Sequence, residues 1–163
     1  SFVSPEIEEA VDLTVLSEFV KSGGGFGMIG GYMSFSGLQG RAAYHNTPVE
    51  DVLPVSIKPY DDRIERPSGV SPQVVEPDHP IADGLPERWP DVLGYHDVEP
   101  NDDATTIARC GTDPFLVAGK HGSGRSFAYL TDCEPEWPSE AMLEWDQYDD
   151  IWGNVAGWAA GDD

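Results

Sequence analysis

Residues 23–37, which read GGGFGMIGGYMSFSG, indicate the class of fold to expect. Phe26, Met28 and Ile29 form an apolar run of strand length with glycine on both sides, a pattern typical of a buried parallel strand. The loop that begins at Gly31 follows this strand directly. Open α/β sheets bind ligands beyond the carboxyl ends of their parallel strands, so this loop is the first candidate for a site.

A helix is predicted ahead of this strand. Ser4 and Pro5 are typical of an N-cap and a first helical position, and apolar residues then recur at helical spacing as far as Val20. The Ser-Gly-Gly at residues 22–24 predicts the end of the helix, because glycine is favoured just past a helix C-terminus. The chain therefore runs from a helix into the strand.

The middle of the chain predicts less regular structure. Residues 49–57 have the composition of a strand, but Pro54 would confine that strand to a sheet edge. Residues 67–100 are rich in proline and aspartate, which favours a long irregular excursion with one β-like piece at residues 73–76.

Regular structure is predicted again in the last third of the chain. Three apolar segments have strand length, and the last two form a hairpin; they span residues 104–109, 115–119 and 126–131. A final helix is expected over about residues 140–160, with Trp145, Trp152 and Trp158 near one apolar face. The pattern predicts a single domain over residues 1–163, in the α/β class, with an antiparallel hairpin near the C-terminus.

The composition is strongly acidic. It has 30 Asp and Glu residues against 9 Lys and Arg, a formal charge of −21 over 163 residues. Phosphate binding needs a basic patch, so nucleic acid and anionic membranes are excluded as partners. No apolar run approaches the roughly 20 residues of a membrane span. Molar salt shortens the Debye length to about 3 Å and screens most of the self-repulsion, so the composition indicates a halophilic protein of a salt-rich cytoplasm.

Two cysteines, Cys110 and Cys133, are too few for a disulfide framework, and we expect both to be free thiols in a cytoplasmic setting. Cys133 lies between Asp132 and Glu134, whose charges oppose thiolate formation. The sequence leaves two interpretations of Cys133, a small residue at a strand end or a nucleophile.

Two glycine-rich motifs suggest phosphate binding but lie in the wrong context. Residues 25–30 satisfy G-x-G-x-x-G, yet these glycines follow a helix and run into the strand, where no helix N-terminus would meet a pyrophosphate. Residues 119–126 are expected to be a hairpin loop and have Arg125 where a phosphate loop requires lysine. The four histidines are too far apart for a local metal-ligand pair. We therefore expect no cofactor and no metal.

A serine and a histidine are further candidates for chemistry. Ser34 lies in a sequence similar to a nucleophile elbow, except that Tyr32 replaces the glycine expected two residues earlier. His96 precedes Asp97, and this pair is either an oriented base or a solvated pair on the surface.

Five segments of this chain share a family pattern. They are residues 23–35 (GGGFGMIGGYMSF), 44–50 (YHNTPVE), 78–81 (DHPI), 122–125 (GSGR) and 132–133 (DC). Together they resemble the glutamine amidotransferase-like family of cytoplasmic proteins, a branch of the class I glutamine amidotransferase-like superfamily related to trehalose-utilisation proteins. The similarity extends over almost the whole chain, from Leu16 to Gly161.

The resemblance implies a flavodoxin-like three-layer sandwich with its ligand edge at residues 30–35. Active class I amidotransferases have an elbow cysteine after that strand and a His-Pro-Glu-like element at a later strand end. This sequence has Gly31-Tyr32 at the first place and Asp-Cys-Glu-Pro at residues 132–135, so neither the nucleophile nor its histidine is matched.

Length is a second departure from the family. Family members resemble longer chains with additional βα units ahead of the first helix here. We expect those N-terminal units to be absent, truncated or supplied by another chain. A sheet without them has an open edge, and this favours a homo-oligomer.

The leading hypothesis is a cytoplasmic amidotransferase-like protein without classical glutaminase activity, which binds a small polar molecule or a protein partner at the loop of residues 30–46. The expected ligand-binding residues are Gly30, Gly31, Tyr32, Ser34, His45 and Asn46. The alternative is a hydrolase or amidotransferase with a non-standard catalytic set drawn from Ser34, His45, His96, Asp132 and Cys133. A third hypothesis is a structural subunit that completes a sheet in a larger assembly.

Salt dependence of stability tests the charge argument. Lowering the salt from 1 M to 0.1 M lengthens the Debye length from about 3 Å to about 10 Å, so uncompensated carboxylates repel over a wider range. The melting temperature of the protein should fall when the salt is lowered. Thermal denaturation followed by circular dichroism checks this, and an unchanged melting temperature would count against the halophilic interpretation.

Overall fold

A computed structural model describes residues 5–162 of the chain, with only the backbone described for residues 5–12. The predicted N-cap, Ser4, lies outside the described residues. The elements in chain order are α1 (Pro5–Lys21), β1 (Gly25–Ile29), β2 (Val55–Ile57), β3 (Arg63–Val70), β4 (Gln73–Val74), β5 (Val92–His96), β6 (Val98–Pro100), β7 (Thr105–Cys110), β8 (Asp113–His121), β9 (Gly124–Tyr129), α2 (Glu140–Leu143) and α3 (Tyr148–Ala160). Within this described part, no helix is long and apolar enough to cross a membrane.

The main sheet has five strands in the order β1-β9-β8-β7-β4. Strand β1 is parallel to β9, and the other neighbours in this sheet are antiparallel. Strands β8 and β9 form the hairpin that the sequence predicts, with His121 paired to Gly124 next to the turn. Two smaller antiparallel pairs, β2 with β6 and β3 with β5, lie outside the main sheet. The fold is therefore mixed α/β with a mostly antiparallel central sheet.

Glycine allows the close approach of β1 to β9 at the end that leads into the loop. A Cβ atom on Gly30 would lie 2.7 Å from the carbonyl oxygens of Leu130 and Thr131, closer than real Cβ contacts. The next residue, Gly31, has a φ of 140°, which side chains rarely adopt. These two glycines let the chain leave β1 and turn across the end of β9.

Three predictions about the secondary structure are wrong in part. Residues 67–100 contain β4, β5, β6 and the end of β3. Strand β3 tolerates Pro67 because its pairing with β5 shifts register between Glu65 and Val70. Residues 49–57 form a short 3₁₀ helix at Glu50–Val52 before the three-residue β2. The final helix is divided into α2 and α3, and the polar residues between them include Asp146, a poor helix former.

Aromatic side chains form much of the core around β8, β9 and α3. Trp158 is buried, and Trp145 and Trp152 are partly buried against the same core, in agreement with a structural role for the three. The ring of Tyr129 on β9 lies 5.3 Å from that of Phe115 and 4.9 Å from that of Trp152. These edge-on contacts fix α3 against the sheet beside the end of β9.

Candidate functional site

A buried pair, His96 and Asp62, lies beside the loop that follows β1. The Nδ1 atom of His96 is 2.8 Å from Oδ1 of Asp62, and both side chains are fully buried. The antiparallel register aligns Arg63 of β3 with His96 of β5, so the residue before β3 meets the end of β5. The pair therefore results from the β3–β5 pairing.

Asp62 holds the loop as well as the histidine. Its Oδ2 atom accepts a hydrogen bond of 3.0 Å from the Ser36 amide, and its Oδ1 atom accepts one of 2.8 Å from the Gly37 amide. Buried carboxylates are stable only when such donors satisfy them. One carboxylate therefore joins the loop to β3 and β5.

The sequence left open an oriented base made of His96 and Asp97, and that interpretation is wrong about the partner of the histidine. The backbone amide of Asp97 donates to the backbone carbonyl of Asp62 at 2.6 Å, while the carboxylate that binds the imidazole is that of Asp62. The alternative of a solvated surface pair is also wrong, because His96 is fully buried.

The other nitrogen of His96 contacts the backbone of Gly31. Nε2 lies 3.1 Å from the Gly31 amide nitrogen and 3.0 Å from the Gly31 carbonyl oxygen. When Nδ1 carries the proton that it shares with Asp62, Nε2 accepts from the Gly31 amide. Both ring nitrogens are thus occupied within the protein, and the imidazole positions the first residues of the loop.

Aromatic rings surround the imidazole. The Phe35 and Trp137 rings lie 4.7 Å and 5.1 Å from the His96 ring. The Tyr32 ring meets that of Trp137 edge-on at 5.6 Å, and the Arg63 guanidinium lies over Tyr32 at 5.1 Å. These contacts exclude water from the pair and fix the side of the loop that faces it.

The loop has an unusual backbone conformation. Four non-glycine residues have φ between 52° and 58°, namely Phe35, Gln39, Ala43 and Asn46. Left-handed backbone is unfavourable for residues with a Cβ, above all for a bulky aromatic such as Phe35. Asp62 holds the loop next to Phe35, while the carboxylates of Asp61 and Glu50 accept from the amides of Gln39 and Asn46, so these contacts hold the loop in a conformation that its own sequence disfavours.

An open cleft of about 630 Å³ borders the far end of this loop. Its lining includes His45, Asn46, Glu50, Asp51 and Asn101. Glu50 is committed to the fold, since its carboxylate accepts from the backbone amides of Asn46 and Ile57. His45 Nδ1 lies 3.4 Å from Glu50 Oε2 without forming a hydrogen bond.

Asp132 lies at the near end of the loop. A Cβ atom on Gly31 would lie 3.7 Å from the Asp132 Cβ, and the Asp132 side chain is buried. Burial, reinforced by the neighbouring Glu136 charge, raises the pKa of this carboxyl group to about 6, against the lowering effect of the Trp137 backbone amide.

The remaining candidates have other contacts. The Ser34 hydroxyl donates to the Ile29 carbonyl at 2.5 Å. Cys133 is exposed, and its carbonyl accepts from the Tyr148 hydroxyl. Burial raises the pKa of the Cys110 thiol to about 12, which leaves it protonated. Both cysteines are free thiols, and no group of three metal-ligating side chains occurs among residues 13–162, whose side chains the structure describes.

The five candidate catalytic side chains do not come together in one site. His96 and Asp132 lie on either side of Gly31, whereas His45 lies in the cleft at the other end of the loop. Among the described side chains of residues 13–162, no hydrogen bond or ion pair joins a histidine to Ser34 or to a cysteine. The expected ligand-binding residues Gly30, Gly31 and Tyr32 lie at the near end of the loop, and Asn46 lies in the cleft.

Comparison with known proteins gives the family. Residues 4–161 match a family model described as "Putative glutamine amidotransferase". The chain belongs to this glutamine amidotransferase-like family. The family resemblance of the five sequence segments is thereby confirmed. A search of curated proteins gave no match.

Two solved structures of the same kind are similar over most of the chain. The cytoplasmic protein STM3548 of Salmonella typhimurium is 38% identical with a TM-score of 0.87, and the match covers 90% of this chain and 59% of that one. The cytoplasmic protein STM1381 of Salmonella typhimurium LT2 is 35% identical with a TM-score of 0.87, covering 91% and 60%. This amidotransferase-like chain therefore spans about three fifths of their length.

A more distant structure shares the fold alone. A ThuA-like protein of Parabacteroides merdae is 12% identical with a TM-score of 0.58, and the match covers 90% of this chain and 63% of that one.

The contribution of Asp62 to stability can be tested by comparing its replacement with that of the neighbouring Asp61. Replacing Asp62 by alanine removes the acceptor of three buried donors, and breaking a buried pair in this way should lower the free energy of unfolding by about 3–5 kcal/mol. Asp61→Ala is the matched control, since the Asp61 carboxylate pairs with Arg63 near the surface and should contribute about 1 kcal/mol. Urea denaturation measures both losses. Equal losses would contradict the importance of Asp62.

Asp132 predicts a pH dependence of stability. Its folded pKa of about 6 exceeds the ordinary value of 3.8, so the folded state retains the proton longer than the unfolded state. Asp132 should therefore lower stability as the pH rises from about 4 to about 6, by up to about 1.4 kcal/mol per pKa unit. Denaturation of the wild type and of Asp132→Asn across this range isolates the effect. A constant difference between them would contradict the buried, ionising carboxyl group.

Proposed function

We propose that this amidotransferase-like protein binds a small polar ligand at the loop of residues 30–46 and lacks classical cysteine-dependent glutaminase activity. One observation carries the proposal, the left-handed backbone at four non-glycine residues of a loop whose amides at residues 36, 37, 39 and 46 are held by the carboxylates of Asp62, Asp61 and Glu50. Strain of this kind persists where a site requires a fixed geometry. The loop also begins at the carboxyl end of β1, beside the parallel strand β9.

The cleft at the far end of the loop supports a polar ligand. Its lining offers the side chains of His45, Asn46, Thr47 and Ser56 as hydrogen-bonding groups. Glu50 and Asp51 make its charge negative, and no lysine or arginine is among the residues that line it. These features favour a neutral or cationic polar molecule over an anion.

The positions of the two thiols argue against glutaminase chemistry. Such chemistry requires a thiolate with a histidine in hydrogen-bonding reach. Cys110 is buried with a raised pKa, and Cys133 lies on the surface among carboxylates. His96 directs one ring nitrogen to Asp62 and the other to Gly31. This fully buried histidine therefore has no thiol or hydroxyl nucleophile in contact with its ring nitrogens. These contacts favour binding over the alternative of a hydrolase with a non-standard catalytic set.

Three further proposals concern the arrangement of the sheet, the oligomeric state and the cellular location of the protein. We infer a flavodoxin-like arrangement for the whole protein, because β1 and β9 are parallel and β1 is an edge strand of the described sheet. An unpaired edge of this kind favours a homo-oligomer, which light scattering would detect. The cytoplasmic names of the two similar Salmonella proteins support a cytoplasmic setting.

Ligand binding can be tested by NMR. A ¹⁵N-labelled sample is titrated with small amides, amino acids, polyols and sugars, and amide shifts of Gly31 and Asn46 are followed. A ligand of the loop should shift these signals saturably, and His45→Gln should weaken the effect. His79→Gln is the control, because His79 is also half-buried but lies in a different cleft. If no compound shifts the loop, or if both variants weaken binding equally, the proposal fails.

The absence of glutaminase activity has its own test. Incubation with glutamine should release no ammonia above the level of a Cys133→Ser variant, because neither thiol has an activating histidine. Ammonia is measured with a coupled enzyme assay, and circular dichroism confirms that the variant folds. Release that disappears in Cys133→Ser would restore the enzyme hypothesis.

A further inference from the structure

Two buried polar atoms without hydrogen-bond partners lie in the short segment that follows β9. They are Oδ1 of Asp132 and Nε1 of Trp137, in side chains that are 7% and 1% exposed. A buried polar atom without a partner is unfavourable, and a native structure that retains one has a reason for it. Two such atoms within six residues of each other, beside Gly31 of the loop, point to a ligand at this segment.

An exposed turn separates the unpartnered oxygen of Asp132 from solvent. The backbone amides of Glu134 and Trp137 already hydrogen-bond to the carboxyl group, so the turn of residues 133–136 wraps around it. All four residues of that turn are exposed. A ligand would therefore reach Oδ1 by displacing this exposed turn.

The local charge favours a cation. Glu134 and Glu136 lie close enough to raise the pKa of Asp132, and no Lys or Arg ion pair within residues 5–162 reaches these three carboxylates. Arg63 lies near, over Tyr32, but it is paired with Asp61. Three carboxylates without a counter-charge attract a positive group, above all once the ionised Asp132 is desolvated.

We propose that Asp132 anchors the ammonium group of a small organic ligand at the near end of the loop. The inference rests on the proposed function and adds the charge of the ligand. An ammonium group donates N–H bonds to a single free carboxylate oxygen, and Trp137, whose backbone amide meets the Asp132 carboxyl group, adds an aromatic ring that attracts a cation. A metal ion would need more ligands, and no group of three metal-ligating side chains occurs in the described part of the chain.

The titration of the Asp132 carboxyl carbon tests this directly. ¹³C NMR follows it between pH 4 and pH 8 in methylammonium chloride, with sodium chloride and tetramethylammonium chloride at equal concentration as controls. Methylammonium should lower the apparent pKa of Asp132 saturably, by about one unit at a tenfold excess over its dissociation constant. The other titrating groups to assign are those around Asp132: Tyr129, Cys133, Glu134, Glu136, Tyr148 and, across Gly31, His96.

The controls separate a specific site from bulk charge. Tetramethylammonium carries the same charge without N–H donors, so it should behave as sodium does. Glu140→Gln, an exposed change on α2, should leave the methylammonium effect intact, whereas Asp132→Asn should abolish the methylammonium shift of the Gly31 amide. Equal pKa values in the three salts would overturn the proposal, and the wild-type titration decides this even if Asp132→Asn fails to fold.

The two proposals can fail separately. If methylammonium lowers the pKa of Asp132 while no compound shifts Asn46, the ammonium site stands and the wider ligand site at the loop does not. If a polar compound shifts Gly31 and Asn46 while the three salts give one pKa, the loop binds a ligand whose anchor lies elsewhere.

Discussion

The hydrogen bond between Asp62 and His96 is the constraint on which the site depends. A fully buried carboxylate is stable only when donors surround it, and here the donors come from two amides of the loop and one imidazole. Those donors belong to segments far apart in the chain, so they meet only when β3 pairs with β5. The small β3–β5 sheet therefore fixes the loop beyond β1, although it shares no strand with the main sheet.

Glycine and histidine have different roles in setting the backbone conformation at the start of the loop. Gly30 permits close contact with the end of β9, and Gly31 adopts a φ that side chains disfavour. Neither property would fix the direction of the Gly31 peptide. His96 does so, because its Nε2 atom lies within hydrogen-bonding distance of that residue's backbone. The two glycines make this backbone conformation accessible, and the side chain of His96, which is distant in sequence, selects it.

The sequence carried enough information for the elements whose signals are local. The helix end at residues 22–24, the apolar run of β1 and the β8–β9 hairpin all follow from glycine placement and short-range hydrophobic pattern. Asp62 carried no such signal, because its role depends on a partner 34 residues away across a proline-rich stretch. The same distance explains why the sequence suggested Asp97 as a partner of His96. Asp97 is adjacent to His96 in the chain, whereas nothing local to His96 indicates Asp62. The left-handed backbone of the loop could not be predicted either, since carboxylates of Asp61, Asp62 and Glu50 hold its amides, and the propensities of its own residues do not favour it.

The way His96 is used bears on how this fold can operate without a thiol nucleophile. A histidine serves as a general base only when one nitrogen is free to take a proton from a bound group. In this protein the nitrogen opposite Asp62 is occupied by the backbone of Gly31, so base catalysis would require that peptide to move away. The Phe35 and Trp137 rings hold the imidazole itself in its present orientation. An oriented histidine, often taken as a sign of catalysis, here fixes the backbone at the start of the loop through both of its ring nitrogens.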